Sequence, residues 1–139
     1  MRHALLKKLY GFTLLEVLIV LGIVLILSYI TMASYQYYVM KASRVNAKIQ
    51  LFKVAAALEN YYSQYYTYVG ANLISLGVSP MTKDDRYQIT LLNLSQLNYT
   101  IAAIPNASQQ QDKRCGSLIL NEKGQQSISG SGAVALCWR

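Results

Sequence analysis

Residues 12–33 read FTLLEVLIVLGIVLILSYITMA, and this stretch decides the fold. It contains 22 residues with a single charge among them, Glu16. At 1.5 Å per residue, a helix of this length spans roughly 33 Å, which covers the roughly 30 Å hydrocarbon core of a bilayer. A secretory signal peptide has a shorter apolar core followed by small residues, whereas here Gly11 precedes the apolar run. The pattern therefore predicts a retained membrane helix.

Glu16 is the informative residue of this helix, because a carboxylate inside an apolar span is costly and is functional by default. The alternative interpretation is that Glu16 lies near enough to the helix end to reach lipid headgroups. A cationic group on an adjacent helix would remove most of the cost of placing this carboxylate in hydrocarbon. The residue therefore favours a staggered assembly of helices over an isolated helix.

The residues around Glu16 resemble the processing signature of type IV prepilins and related pseudopilins. A basic leader, residues 1–11, ends in Gly11 and is followed by Phe-Thr-Leu-Leu-Glu. The resemblance implies that a prepilin peptidase cuts after Gly11 and that the new N-terminal Phe12 is N-methylated. It also implies that Glu16 pairs with the N-terminus of a neighbouring subunit during filament assembly.

Charge alone does not fix the orientation of the helix in a membrane. Three basic residues stand on each side of the apolar stretch, Arg2, Lys7 and Lys8 before it and Lys41, Arg44 and Lys48 after it. The prepilin resemblance implies a cytoplasmic N-terminus, with the rest of the chain in the periplasm before assembly and in an extracellular pilus afterwards. Cleavage would leave ten basic and six acidic residues, a net charge of +4.

The helix is expected to continue beyond the membrane, because no helix breaker occurs before Gly70. We predict one helix from about Phe12 to Tyr66, with residues 12–33 as its membrane and assembly half and residues 34–66 as its second half. Two apolar bands follow the second half. One band holds Val45, Ile49, Phe52 and Ala56, and the other holds Leu51, Val54, Ala55, Leu58, Tyr61, Tyr62 and Tyr65. We expect one band to pack on the chain's own head and the other to contact neighbouring subunits.

Two further clusters lie on this helix. The basic residues Lys41, Arg44 and Lys48 fall between the two bands and are expected to meet headgroups or solvent, with a polar contact to an adjacent subunit as the alternative. A tyrosine cluster, Tyr61, Tyr62, Tyr65, Tyr66 and Tyr68, is expected to pack, because no basic residue is interleaved as in a platform for stacking single-stranded nucleic acid.

Residues 67–139 are predicted to form a loop followed by an antiparallel β head. Four short strands are expected at 87–93, 98–104, 116–121 and 125–129, and the Ser129–Gly132 tract is expected to be flexible. Strands that follow one long helix predict an α+β fold in which an antiparallel meander packs on that helix.

The end of the chain extends the resemblance. The segments DKRCGSLILNEKG at 112–124 and CWR at 137–139 resemble the disulfide region of PilE-like minor pilins, a group related to ComP-type DNA-uptake pilins. The resemblance implies the type IV pilin lollipop, one long N-terminal α-helix packed on a four-stranded antiparallel sheet. Cys115 and Cys137 are the only cysteines, and an even count in an exported domain indicates a disulfide; two buried thiols are the alternative.

The residue inventory disfavours catalysis. The chain without its leader has no histidine, its cysteines are expected to pair, and its acidic residues are scattered, so no acid–base pair can be assembled. We expect no metal and no cofactor. The chain is expected to be a substrate of enzymes and not an enzyme.

We predict a structural subunit of a type IV pilus, a minor pilin, whose partners are other pilins, the prepilin peptidase and methyltransferase, and the inner membrane. The first alternative is a ComP-like pilin that binds DNA through basic residues in the loops of the head, namely Lys83, Arg86, Lys113, Arg114 and Lys123. The second alternative is a type II secretion pseudopilin, against which the C-terminal cysteine pair argues.

Overall fold

A computed structural model of the chain describes residues 11–139, so the leader charges Arg2, Lys7 and Lys8 lie outside the described residues. Helix α1 spans Leu14–Tyr65 and is followed by strands β1 (Tyr87–Leu91), β2 (Thr100–Pro105), β3 (Leu118–Asn121) and β4 (Gln126–Ile128). A 3₁₀ helix, Ala107–Gln111, joins β2 to β3, and a short helix α2, Val134–Trp138, follows β4. The strands form one antiparallel sheet in the order β1-β2-β3-β4. The predicted α+β fold, a long helix packed on a four-stranded antiparallel sheet, is confirmed.

Both ends of α1 have a local cause. The Thr13 hydroxyl accepts a hydrogen bond from the backbone N–H of Glu16 at 3.2 Å, which satisfies one of the free donors at the helix N-terminus. At the other end Tyr66 adopts a φ of 55°, a left-handed conformation that stops the helix. The helix therefore lies slightly inside the predicted bounds of Phe12 and Tyr66.

The chain divides into two compact units, one extending to Tyr37 and the other comprising Tyr38–Arg139. In the first unit the large apolar side chains of the helix are all exposed. The hydroxyls of Ser28 and Thr31 donate to the carbonyls one turn earlier, at 2.7 and 2.8 Å, so they need no external partner. By length and composition this helix qualifies to cross a membrane.

The hydrophobic core lies in the second unit, between α1 and one face of the sheet. The helix contributes a fully buried stripe, Ala47, Leu51, Val54 and Leu58, and the sheet contributes Tyr87, Ile89, Ile101, Leu118 and Leu120. The other predicted band stays outside the core, since Val45, Ile49 and Phe52 are each about half exposed. One band thus packs on the chain's own head as predicted, and contact of the other band with neighbouring subunits remains a prediction.

The tyrosine cluster is only partly packed. Tyr68 is buried, and the Tyr62 ring stacks on it with centroids 4.8 Å apart. Tyr61 is half-buried against the core. Tyr65 is 60% exposed, but its ring lies against the ring of Tyr61, with centroids 4.5 Å apart. Tyr66 is 73% exposed, so the packing prediction is wrong for this residue.

The predicted flexibility of the Ser129–Gly132 tract is also wrong. The tract lies along the backbone of residues 113–117, where Gly130 N–H donates to Cys115 O at 3.1 Å. The approach is so close that a Cβ built on Gly130 would lie 2.4 Å from Arg114 O. The glycine serves backbone packing here, because any larger residue would collide with the neighbouring chain.

Replacing Leu51 by Ala should lower the free energy of unfolding of the head by about 2–5 kcal/mol, because the substitution leaves a cavity in the core. Ile49→Ala is the matched control, since that side chain is 50% exposed, and its effect should be much smaller. Near-ultraviolet circular dichroism of the full chain in detergent would follow unfolding of the head. Equal destabilisation by the two substitutions would contradict the assignment of the two bands.

Candidate functional site

The two ends of the sheet carry different connections. We call one end of the strands the entry end. At this end β1 and β3 begin and β2 and β4 finish, so that Tyr87 pairs with Pro105 and Leu118 pairs with Ile128. We call the opposite end of the strands the turn end, because the β1–β2 and β3–β4 connections lie there.

Four of the five basic residues predicted to bind DNA lie at the entry end. Lys83 and Arg86 belong to the loop that leads into β1, and Lys113 and Arg114 belong to the connection from β2 to β3. A hydrogen bond joins these two connections, from Asn106 N–H to Arg86 O at 2.8 Å. The fifth predicted residue is separated from them, because Lys123 lies in the β3–β4 turn, which the pairing of Leu120 with Gln126 places at the turn end.

Lys113 and Arg114 project from a well-defined turn, residues 112–116, which we call the basic turn. Gly116 N–H donates to Asp112 O at 2.9 Å and closes the turn. The Asp112 side chain accepts a second bond, from Cys115 N–H at 3.4 Å. Both basic side chains are exposed, so the turn presents two adjacent cations to solvent.

The other side of the basic turn is attached to the C-terminal segment. Ser131 N–H donates to Lys113 O at 3.3 Å, and Gly132 N–H donates to Arg114 O at 2.7 Å. The predicted disulfide is present between Cys115 and Cys137 and links the turn to α2. These contacts hold the backbone of the two cations in place, while their side chains remain free to meet a ligand.

A buried ion pair lies beneath the turn. Arg44 Nε on α1 donates to Asp112 Oδ2 at 2.6 Å, and the Asp112 side chain is only 4% exposed. The buried amide of Gln109 donates to Met40 O at 3.2 Å and to the hydroxyl of Tyr87 at 3.1 Å. Burial raises the pKa of Tyr87 to about 12, so this hydroxyl stays protonated. The expectation that Arg44 meets headgroups or solvent is therefore wrong.

Lys48 also forms hydrogen bonds within the chain, so the expectation that it meets headgroups or solvent is wrong for this residue as well. Its ammonium group donates to Arg139 O at 2.6 Å and to Trp138 O at 3.4 Å. Burial lowers the pKa of Lys48, and the neighbouring charges of Arg44 and Lys41 lower it further. Lys41 itself is exposed.

The Trp138 side chain completes the attachment of α2. Its indole N–H donates to Ser127 O at 3.1 Å, and its ring meets Phe52 edge-to-face with centroids 6.2 Å apart. The short C-terminal helix is thus tied both to α1 and to β4.

The acidic residues near the basic candidates are mostly committed to partners. Asp112 pairs with Arg44, and Asn46 on α1 donates to Asp84 Oδ2 at 3.3 Å. Burial acts to raise the pKa of Asp84, but hydrogen bonds from Ser43, Thr82 and Asn46 outweigh it and lower the pKa. Asp85 remains exposed. Among the described residues no group of three or more acidic, histidine or cysteine side chains could hold a metal ion.

Sequence reasoning missed the residues that support the basic turn. Arg44 lies 68 positions from Asp112, and Gln109 lies 69 positions from Met40, whose carbonyl it contacts. No local sequence pattern marks contacts of such long range. The glycines at 130 and 132 could have indicated a close approach of two backbone segments, since each follows a serine near the second cysteine. The same Ser-Gly pattern is also typical of a flexible linker.

The fold and the N-terminal segment define a type IV pilin. A model of the prokaryotic N-terminal methylation motif matches residues 6–28. A second family model, described as type IV minor pilin ComP, DNA uptake sequence receptor, matches residues 33–119, which is more than half of the chain. The chain belongs to this family of type IV minor pilins, and the match favours a pilin over a secretion pseudopilin.

One solved structure shows the same fold. The non-core minor pilin PilV of Neisseria meningitidis is 22% identical, covers 67% of this chain and 89% of its own, and superimposes with a TM-score of 0.55. A type IV pilin from Shewanella oneidensis is 27% identical over 65% of this chain and 92% of its own, with a TM-score of 0.46. No protein with a curated description matches the sequence.

Replacing Arg44 by Met should destabilise the head by about 3–5 kcal/mol, because it leaves the buried Asp112 carboxylate without its partner. Asp112→Asn should also destabilise the head, and the double variant should lose less than the sum of the two single losses. Urea unfolding followed by the fluorescence of Trp138, the only tryptophan, would measure these free energies. Lys41→Met is the control, and strictly additive losses in the double variant would contradict a coupled pair.

Proposed function

We propose that this minor pilin is made as a precursor, is cleaved after Gly11 by a prepilin peptidase, and is N-methylated on Phe12. Before assembly it lies in the inner membrane with its head in the periplasm, and afterwards it is part of an extracellular pilus. The methylation-motif match over residues 6–28 supports the processing step. In this scheme the chain is a substrate of enzymes and has no catalytic role of its own.

The observation that supports assembly into a filament is the exposed apolar surface of α1 in the first unit. Every large apolar side chain there is exposed, so this surface needs either lipid or the helices of other pilins around it. Glu16 is the one acidic residue in this stretch and lies in the first turn of α1. Its carboxylate is tolerated in hydrocarbon when a cation meets it, and the methylated N-terminal amine of a neighbouring subunit supplies that cation.

Replacing Glu16 by Ala should leave membrane insertion intact and should deplete the protein from filaments, because the partner amine loses its counter-charge. Intact mass in a host with a prepilin peptidase should still show loss of residues 1–11 and one added methyl group. The amount of variant in sheared filaments is then compared with wild type. Incorporation at the wild-type level would refute the pairing role, and an uncleaved N-terminus in the wild type would refute the processing scheme.

A second candidate function is reception of DNA. The matching family is described as a receptor for DNA uptake sequences, and the entry end offers Lys83, Arg86, Lys113 and Arg114. Within residues 11–139 the only salt bridge joins Arg44 and Asp112, so none of these four cations is neutralised by such a pair. Cations of this kind gain affinity for DNA by releasing counterions from the phosphates.

Reversing the charge of the basic turn, Arg114→Glu, should weaken binding of duplex DNA at low salt and should flatten the salt dependence by about one unit of slope per lost phosphate contact. The matched control is Lys123→Glu, which changes the net charge equally at the turn end and should have little effect. Fluorescence anisotropy of the full chain in a zwitterionic detergent, at 50 and 200 mM salt, measures both affinities.

Two results would count against this second function. Equal weakening by the two substitutions would mean that DNA meets the charge of the whole head and not the basic turn. Absence of binding at the lower salt concentration would leave the filament subunit as the function of the chain. Weakening by Arg114→Glu should also be similar across DNA sequences, because phosphate contacts carry no sequence information.

A further inference from the structure

The last turns of α1 and the loop that follows form a cleft that contains neither Glu16 nor the basic residues of the entry end. The cleft has a volume of about 190 Å³. Its helix wall presents Asn60, Tyr61, Gln64 and Tyr65, and its loop wall includes Ser75. We call it the tyrosine cleft. Positions 60, 61, 64 and 65 share one face of the helix, because residues three or four apart lie above one another.

The tyrosine cleft is formed before any ligand arrives. The rings of Tyr61 and Tyr65 lie with centroids 4.5 Å apart, and the Tyr61 hydroxyl donates to Val69 O at 3.4 Å. The loop wall is held by reciprocal bonds, from Ser75 N–H to Asn72 Oδ1 at 2.8 Å and from Asn72 N–H to Ser75 Oγ at 3.2 Å. A preformed cleft loses little conformational entropy when it binds.

The lining restricts the chemistry of a ligand. None of the described residues that line the cleft is charged. The side-chain amides of Asn60 and Gln64 have no hydrogen-bond partner in the described chain, so each offers both donors and an acceptor. Tyr65 exposes 60% of its surface beside them. This combination fits a neutral ring that has an apolar face for the tyrosine and hydroxyl groups for the amides.

A pyranose sugar has these properties, since its axial C–H bonds form an apolar face and its hydroxyls lie around the edge. The cleft is smaller than the roughly 300–1,000 Å³ of typical small-molecule pockets, which suits a single ring. A nucleotide fits poorly, because single-strand sites combine aromatic stacking with cations for the phosphates. We propose that the tyrosine cleft binds one ring of a neutral saccharide, independently of the entry end.

Saturation-transfer NMR with N,N′-diacetylchitobiose would test this proposal on the full chain. Dodecylphosphocholine micelles are suitable, because a glycoside detergent would compete for the cleft. Protons on one face of one sugar ring should receive the strongest transfer. Tyr65→Ala should weaken binding by about tenfold, or about 1.4 kcal/mol. Gln64→Leu, which keeps the size of the side chain and removes its hydrogen bonds, should weaken binding in the same direction.

The matched control is Tyr66→Ala, because Tyr66 is even more exposed but does not line the cleft. Retained binding in this control, together with loss in the other two variants, supports the proposal. Absence of transfer in the wild type, or equal loss in all three variants, overturns it. Displacement of the disaccharide by a short single-stranded oligonucleotide would also overturn it, in favour of a nucleobase site. None of these outcomes depends on filament assembly or on the basic turn.

Discussion

The buried ion pair between Arg44 and Asp112 is the interaction on which the arrangement of the head depends. It joins α1 to the connection between β2 and β3, across 68 positions of the sequence. A buried charge is tolerated only with its partner, so the helix and the basic turn cannot separate without leaving an uncompensated charge. The Ser129–Gly132 tract and the disulfide both attach to this turn, and α2 follows them. The ion pair thus links α1 to the entry end, where the contacts of Gln109 with Met40 and of Lys48 with the C-terminal residues add to it.

Local periodicity was sufficient to predict the long helix and the four strands from sequence. The buried stripe of α1, from Ala47 to Leu58, repeats every three to four residues, and the four strands lie within or beside the predicted ranges. The predicted helix end at Tyr66 lies one residue beyond the last helical residue, Tyr65, although the left-handed residue at a helix end is usually a glycine. Helix α2 was not predicted, because five residues carry too little pattern and its position depends on a disulfide and on Trp138.

The site was less predictable than the fold, because a helical wheel gives the direction of a side chain but not its partner. Arg44 and Lys48 lie between two apolar bands, a position equally suited to solvent, headgroups or protein. Their partners, Asp112 and the backbone of residues 138–139, come from the far end of the chain. The separation of Lys123 from the other DNA candidates is different, because it follows from the predicted meander: Lys113 and Arg114 precede the third strand, and Lys123 follows it.

Because Lys123 is separated from the other four basic residues, the two ends of the sheet differ in charge. At the turn end, Glu59 accepts a hydrogen bond from the Tyr68 hydroxyl at 2.9 Å. Burial raises the pKa of Tyr99 to about 12, and the charges of Glu59 and Glu122 contribute, so this hydroxyl stays neutral. Lys123 therefore lies at the same end of the sheet as the carboxylates of Glu59 and Glu122. At the basic turn, the nearby Asp112 carboxylate is already paired with Arg44. The entry end carries four cations, Lys83, Arg86, Lys113 and Arg114, against Asp84 and Asp85, whereas the turn end carries one cation, Lys123, against Glu59 and Glu122. The proposed binding of DNA is therefore favoured electrostatically at the entry end over the turn end.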